Sequence, residues 1–464
     1  MSAAQGRAGP PPLGVAAPLR LPPIHRHRLA NGLEVLLVER HALPVVDLRL
    51  VVRAGAGVDP PAFAGRAGLT ADLLDEGAGG RSALEIAAAV DQLGADLETA
   101  ASWDATTVCL HVLAPHLEAA LGLMADVALR PEFPAAEVER KRAERLAALL
   151  QEKEEPRVLA GRALLAALYG PDHPYGSPIR GTEATIAALD AAALRAYYEA
   201  WVHPGNAFLV AVGDVEPDAL LRLLEAAFGD WTPRAGAAVP GLAAPAAAPT
   251  AAYIVDRPGA AQAELRLGRI GAPRATPDYF PLLVLNTVLG GSFTSRLNQK
   301  LRQEKGYTYG VSSRFDFRGG PGPFIVGTSV DTDAVPDAVA DVLAELRHLR
   351  TKLVPADELE RAKSYCARGY ARYFETTADV AGRVTEIGLH ALPDDYLQRY
   401  VERVRAVSSE DVFRAAERHL DPDSTAVVVA APRDDVAAGL EALGLPVRPA
   451  PGPADGAPLA ASRP

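Results

Sequence analysis

The chain has 464 residues, 49% of them hydrophobic and 23% charged, with a formal net charge of −11. This is the balance of a globular protein too long for one core, and its acidity argues against a nucleic-acid or anionic-membrane partner. No apolar run approaches the ~20 residues that span a bilayer. Two cysteines, Cys109 and Cys366, cannot build a disulfide framework or a cysteine-rich zinc site, so each reads as a buried small hydrophobe.

In chain order, residues 1–21 are Pro/Gly-rich and expected to be disordered; their prolines break any signal-peptide apolar core. A cytoplasmic location is therefore expected, with the periplasm as the alternative if the true start lies elsewhere. A first domain is expected over 22–231. Strand character appears in "NGLEVLLVER" (31–40) and "VVDLRLVVRAG" (45–55), bounded by turn residues. "GLTADLLDEGAGG" (68–80) is short and helical in pattern, with Asp72, Asp75 and Glu76 read as a solvated acidic face. "SALEIAAAVDQLG" (82–94) has Ser82 and Glu85 at capping-box spacing and Gly94 as a stop, so it predicts a helix. "TTVCLHVLA" (106–114) returns to strand, and the stretches 116–129 and 135–155 carry apolar residues at helical intervals.

The stretch "TPRAGAAVPGLAAPAAAPT" (232–250) reads as a linker, and the residues from 446 to 464 as a disordered tail. A second domain is expected over 251–445. The two domains match: "VERHALPVVDLRL" (38–50) aligns without gaps on "VDRPGAAQAELRL" (255–267), and "HPGNAFLVAVG" (203–213) on "DPDSTAVVVAA" (421–431). This is an internal duplication. The clustering of strands and helices predicts an α+β fold, one antiparallel-rich sheet per half with helices on one face.

Candidate chemistry is sparse. The ten histidines are scattered, each reads as a surface or turn residue, and none forms a helical two-histidine zinc motif. No nucleophile elbow or phosphate-binding loop is present. In "LNQKLRQEKGYTYGVSS" (297–313) a helix carries Arg302 near its end and stops at Gly306; Tyr307 and Tyr309 follow, Tyr309 starting the next strand.

These stretches, with "HPYGSPIRGTEATI" (173–186) and "YYEAWVHPGNAFLVAVGDV" (197–215), resemble the pitrilysin/insulinase family of zinc metallopeptidases, the inverzincins, over nearly the whole chain. The resemblance implies two duplicated domains facing each other across a chamber. Family peptidases carry H-x-x-E-H on the helix after "GL", which supplies two zinc ligands and a water-activating glutamate. Ala71, Leu74 and Asp75 stand at those places here. The third ligand is a glutamate seven residues after another; Glu144 matches the first of that pair, and Gln151 stands at the ligand position. On the family's substrate strand, Glu98 replaces Asn and Val108 replaces Tyr. Alanine and leucine offer no lone pair, so this set does not make a zinc site.

Arg302 and Tyr309 match a family pair that, by this resemblance, comes from the C-terminal half and faces the zinc site of an N-terminal half across the chamber. Some members divide the work between a chain with H-x-x-E-H and a chain with Arg and Tyr, and this sequence is similar to the second kind. It is expected to be inactive alone and to hold no cofactor. Its expected partners are a zinc-bearing homologous subunit and a peptide substrate. The alternative is a non-enzymatic scaffold or peptide-binding protein of the same fold. An independent hydrolase using Asp72, Asp75 and Glu144 with another metal finds no support in the spacing.

Overall fold

The structure is a computed structural model and describes residues 21–234, 241–242, 245 and 250–452. The expected disordered start, most of the linker and most of the tail lie outside the described residues. In the N-terminal half the strands are β1 (His25–Arg28), β2 (Glu34–Glu39), β3 (Val45–Val52), a two-residue hairpin β4 (Gly77–Ala78) and β5 (Arg81–Ser82), β6 (Asp96–Ala101), β7 (Thr106–Leu113) and β8 (Ala207–Gly213). In the C-terminal half they are β9 (Ala252–Asp256), β10 (Gln262–Ile270), β11 (Val311–Phe315), β12 (Pro323–Asp331), β13 (Ala426–Ala431) and β14 (Val447–Pro449).

The two six-stranded sheets have the same plan. One runs β1-β2-β8-β3-β7-β6 and the other, read from its far end, β14-β9-β13-β10-β12-β11. In each, the closing strand (β8, β13) lies parallel to the first strand of the repeat (β2, β9) and antiparallel to the second (β3, β10). These are the strands on which the internal alignment falls, so the duplication read from the sequence is a duplication of the fold. The first position of each sheet differs. It is filled by β1, antiparallel to β2, in one half and by β14, parallel to β9, in the other. The tail therefore does not begin at 446 as expected: Val447–Pro449 pairs with β9 and completes the sheet.

Each half packs its own helices on one sheet face. Val35, Leu37, Leu48 and Leu50 share a core with helices Leu117–Leu129 and Pro217–Phe228. Leu265, Leu267, Val427 and Val429 do the same with helices Tyr279–Leu289 and Val335–Thr351. The second face of each sheet is partly covered by a helix from the other half. Helix Pro156–Tyr169 lies on β10 and β13, and helix Thr377–Leu389 on β3 and β8. Both crossings depend on glycine: a Cβ on Gly268 would sit 2.9 Å from Leu164 Cδ2, and one on Gly388 2.3 Å from Phe208 Cε2. Burying a leucine such as Leu164 contributes on the order of 2–3 kcal/mol, so the exchange ties the halves together. Arg40 adds to it by donating to the carbonyls of Phe374, Glu375 and Thr376 at 3.0, 2.6 and 3.0 Å, just before helix Thr377–Leu389.

Candidate functional site

The positions of the family's metal motif are built from the core. Helix Arg66–Ala71 is only six residues long, so Leu74 and Asp75 lie in the turns beyond it rather than on the helix the sequence suggests. Ala71 and Leu74 are buried at 0% and 2% exposure, and Leu74 belongs to the apolar cluster behind the sheet. Asp75 is half-buried, and burial raises its carboxyl above the ordinary range. Gln151 is exposed on helix Ala135–Glu152.

The neighbouring acids are all engaged. Asp72 pairs with Arg145, Glu76 with Arg140 and, at 2.6 Å, with Lys141, and Glu144 with Arg140 at 2.7 Å. Burial alone would raise the Glu76 carboxyl, but Lys141 and Arg140 outweigh it and hold it low. Two apolar side chains and a guanidinium-neutralised carboxylate network do not fit Zn²⁺, which takes unprotonated N, S or O donors in tetrahedral array. Among the described residues no group of three or more His, Cys, Asp or Glu is placed to hold a metal ion.

Beside this degenerate motif lies a cleft of about 680 Å³ between helix Ala83–Gln92 and the start of β6, lined by Asp75, Glu76, Asp91, Asp96, Glu137 and Arg140 among others. The capping box predicted for that helix is present: Ser82 accepts from the Glu85 amide, and the Glu85 carboxylate accepts from the Ser82 amide. Glu98 is exposed on β6, the outer strand of its sheet, and Val108 is buried on β7.

Arg302 sits in Asn298–Glu304, a π-helical rather than α-helical segment. Its turn is one residue wider than an α-turn, as the Lys305 amide bonding to the Lys300 carbonyl at 3.2 Å shows. Such local widening is rare and recurs at functional sites. Gly306 ends the segment at φ +68°, the left-handed stop expected from the sequence. Tyr309 does not start the next strand: β11 begins at Val311, and 307–310 form a loop. Local bonds replace the ladder there. Thr308 Oγ1 accepts from the Gly310 amide and donates to the Gly310 carbonyl, while Thr328 Oγ1 donates to Thr308 Oγ1.

Asn298, which the sequence reading passed over, anchors this loop. It is 6% exposed; its Nδ2 donates to Val311 O at 2.8 Å and lies 3.2 Å from both Ser292 O and Ser295 Oγ, and its Oδ1 accepts from the Val311 amide. The available signal was a lone asparagine between Leu297 and Leu301, both fully buried. The result is a supported loop with two unsupported ends. Tyr309 is 94% exposed, and neither its hydroxyl nor the Arg302 guanidinium has a hydrogen-bond partner among the described residues. Arg302 lies over the ring of Phe293, itself 63% exposed, at 4.3 Å. A cation–π contact of this kind orients a guanidinium without using its N–H donors. Tyr307, by contrast, donates to Asp337 Oδ2 at 3.0 Å.

The other polar candidates fall elsewhere. His203, read as a surface or turn residue, is 4% exposed between helix Ala191–Trp201 and β8, and burial lowers its basicity. His390 lines a cavity of about 290 Å³ between the halves with Arg53, Trp103 and Asp104; burial, aided by the charge of Arg274, pulls its pKa down to about 4. Cys109 and Cys366 are half-buried, and burial raises both thiols. No helix among the described residues is long and apolar enough to cross a membrane.

The comparisons with known proteins agree with this architecture. Residues 34–183 match the family described as Insulinase (Peptidase family M16), and residues 188–366 match the one described as Peptidase M16 inactive domain. An uncharacterized zinc protease of Mycobacterium tuberculosis is 28% identical over 403 residues, covering 85% of this chain and 90% of the relative. The crystal structure of a peptidase M16 inactive domain from Pseudomonas fluorescens superposes with a TM-score of 0.83 at 29% identity, covering 88% of this chain and 98% of that one. A protease from Helicobacter pylori, at 19% identity and a TM-score of 0.81 over 88% of this chain and all of its own, shares the fold. With the duplicated sheets and both family models on one chain, the protein belongs to the insulinase/pitrilysin family, peptidase family M16.

Proposed function

We propose that this chain is the metal-free, Arg/Tyr-contributing subunit of a heteromeric zinc metallopeptidase that degrades or processes peptides. The zinc and the glutamate that activates its water would reside on a homologous subunit with an intact H-x-x-E-H. Bound there, zinc supplies an activated water for attack on a peptide carbonyl. This chain's part is to hold the substrate: the Arg302 guanidinium and the Tyr309 hydroxyl donate to the carbonyl oxygen and stabilise the negative charge that develops on it. Donors fixed before the reaction do this at little reorganisation cost.

One observation carries the reading. Two strong donors, the half-buried Arg302 guanidinium at the end of the π-helical segment and the exposed Tyr309 hydroxyl on the loop that follows, have no hydrogen-bond partner among the described residues, and Asn298 and Thr328 tie down the backbone between that segment and β11. A 94%-exposed tyrosine gains almost nothing from packing, so stability alone does not account for its position. The test is reconstitution. Co-expressed with a homologue bearing H-x-x-E-H, the chain should elute as a complex on size exclusion, and peptide hydrolysis should require both. If it stays monomeric while that homologue cleaves peptides fully alone, the scaffold or peptide-binding reading replaces this one.

A further inference from the structure

Helix Pro156–Tyr169 covers β10, β13 and, at Ile325, one end of β12, and leaves a groove on the same face over Gly327 and Ser329 of β12 and over Ser312 and Arg314 of β11. Strand alternation places Glu264 and Arg266, Gly327 and Ser329, and Ser312 and Arg314 on that face. In the ladder Ser312 is opposite Gly327, and Gly327 opposite Arg266. Because residue 327 has no side chain, the Arg266 guanidinium lies across it; a Cβ there would meet Nη1 at 3.3 Å. The first turns of helix Pro156–Tyr169 wall the other side with Arg157 and Gly161, enclosing a groove of about 420 Å³. Gly310, the residue after Tyr309, lines its end.

The charges in this groove do not balance. Three arginines line it with one acid, and that acid is already used: Glu264 pairs with Arg266 at 2.9 Å and accepts from Ser329 Oγ. Arg157 and Arg314 are exposed and make no hydrogen bond or ion pair to any described residue. Burial foremost, with the like charges of Arg157 and Arg314, lowers the Arg266 pKa. An arginine-lined groove with free N–H forks suits a carboxylate, which a guanidinium binds through two parallel bonds.

We propose that this groove is a specificity subsite for an acidic side chain, Glu or Asp, of the peptide held at Arg302 and Tyr309. The substrate class is then peptides with a carboxylate side chain close to the bond presented at that pair. The proposal rests on the reading of Arg302 and Tyr309 as the peptide contact, and the shared loop joins them: Thr328 Oγ1 on β12 lies within hydrogen-bond distance of both Thr308 Oγ1, at 2.9 Å, and Gly310 O, at 3.1 Å.

The test reads binding on the chain alone, by fluorescence anisotropy, with a labelled octapeptide capped at both ends and carrying Glu at internal positions. The comparison is the same peptide with Gln. The Glu peptide should bind about tenfold more tightly at low salt, and the gap should shrink as salt is raised. Arg157→Gln and Arg314→Gln are exposed changes that leave folding intact. Each should weaken the Glu peptide about 3- to 5-fold, the size of an exposed ion pair, and leave the Gln peptide unmoved. Equal binding of the two peptides, or a double variant that binds the Glu peptide like wild type, overturns the subsite. A Gln peptide with a free C-terminal carboxylate binding as tightly as the Glu peptide assigns the groove to the chain terminus and overturns the side-chain assignment. Failure of the catalytic reading appears elsewhere, as unchanged hydrolysis by a reconstituted Arg302→Ala complex, so the two are separable.

Discussion

The segments Ala83–Gln92 and Asn298–Glu304 hold equivalent places in the two halves, each leading through a left-handed glycine into the outer strand of its sheet. In the N-terminal half the helix is α, and only Ala95 separates Gly94 from β6. In the C-terminal half the turn is π, and Tyr307–Gly310 intervene between Gly306 and β11. The chemistry differs as well. Asp72, Glu76 and Glu144 on one side are neutralised by Arg145, Arg140 and Lys141, whereas on the other the Arg302 guanidinium, stacked on Phe293, and the Tyr309 hydroxyl have no hydrogen-bond partner among the described residues. One scaffold used twice carries an ion-paired acidic cluster in one copy and, in the other, two donors whose N–H and O–H groups have no hydrogen-bond partner among the described residues. Under the proposed function, unspent hydrogen-bonding capacity is what sets the substrate-holding side apart.

The largest effect expected from this contrast is on turnover. In the reconstituted complex, Arg302→Ala and Tyr309→Phe should each lower peptide hydrolysis ~100- to 1,000-fold, about 3–4 kcal/mol in the barrier, as loss of one preorganised oxyanion donor does. Assembly and Tm should stay near wild type, because Tyr309→Phe removes one hydroxyl from a side chain that is 94% exposed. Steady-state kinetics beside thermal melts decides it. Unchanged specific activity with a lowered Tm would reduce the pair to structure and erase the difference between the halves.

Next in size is the seam that holds the halves together. His390 caps helix Thr377–Leu389, the helix lent to the N-terminal sheet, and its pKa falls from 6.5 to about 4, through burial first and Arg274 second. A base with a depressed folded pKa binds fewer protons folded than unfolded. Its stabilising contribution is thus complete above pH 6.5 and is lost as pH falls toward 4. The shift corresponds to ~3 kcal/mol at most. Urea denaturation at pH 7 and pH 4 should show His390→Gln losing less stability than wild type across that window. Parallel losses would mean that the seam does not sense protonation of this histidine.

Much of this contrast was legible in the sequence, and the rest was not for identifiable reasons. Alternation and turn residues marked β2, β3 and β7, and the Ser82/Glu85 spacing marked the capping box, because these signals are local. Matching strands gave away the duplication. The exchange of helices Pro156–Tyr169 and Thr377–Leu389 was hidden, since a helical pattern shows that a face is buried and not which sheet buries it. The π-turn was hidden because one extra residue barely disturbs a pattern anchored by Leu297 and Leu301. Alternation places Tyr309 on a strand, because it cannot reveal that Asn298 and Thr308 take over the local backbone bonds. The loss of donors at Ala71 and Leu74 is read from side-chain chemistry and needs no geometry.

A smaller effect tests the N-terminal copy. Ala71→His places an imidazole at a position with 0% exposure, and overpacking of this kind costs ~1–3 kcal/mol. Denaturant melts should show that loss, with no zinc retained on gel filtration. Adding Leu74→Glu, Asp75→His and Gln151→Glu restores the donor set on paper, and recovery of stability on adding zinc would show that the four positions still converge. Wild-type protein that carries one zinc per chain through mild chelation would break the comparison from the other side.

The smallest effect expected is also the sharpest control. Tyr307 and Tyr309 are two residues apart on the same loop, so sequence alternation does not separate them, yet their hydroxyls differ in what they can do. The Tyr307 hydroxyl is committed to Asp337 at 3.0 Å, and that hydrogen bond, ahead of desolvation, raises its pKa. The Tyr309 hydroxyl is committed to nothing among the described residues. Tyr307→Phe deletes an exposed hydrogen bond that water readily replaces, so Tm and turnover should both stay close to wild type. Tyr309→Phe should leave Tm unchanged as well and lower turnover alone. Measured together in the reconstituted complex, the two variants isolate one hydroxyl from everything else in the loop. Equal losses of turnover would mean that the loop acts through its shape, and that the free phenol is not the group presented to the substrate.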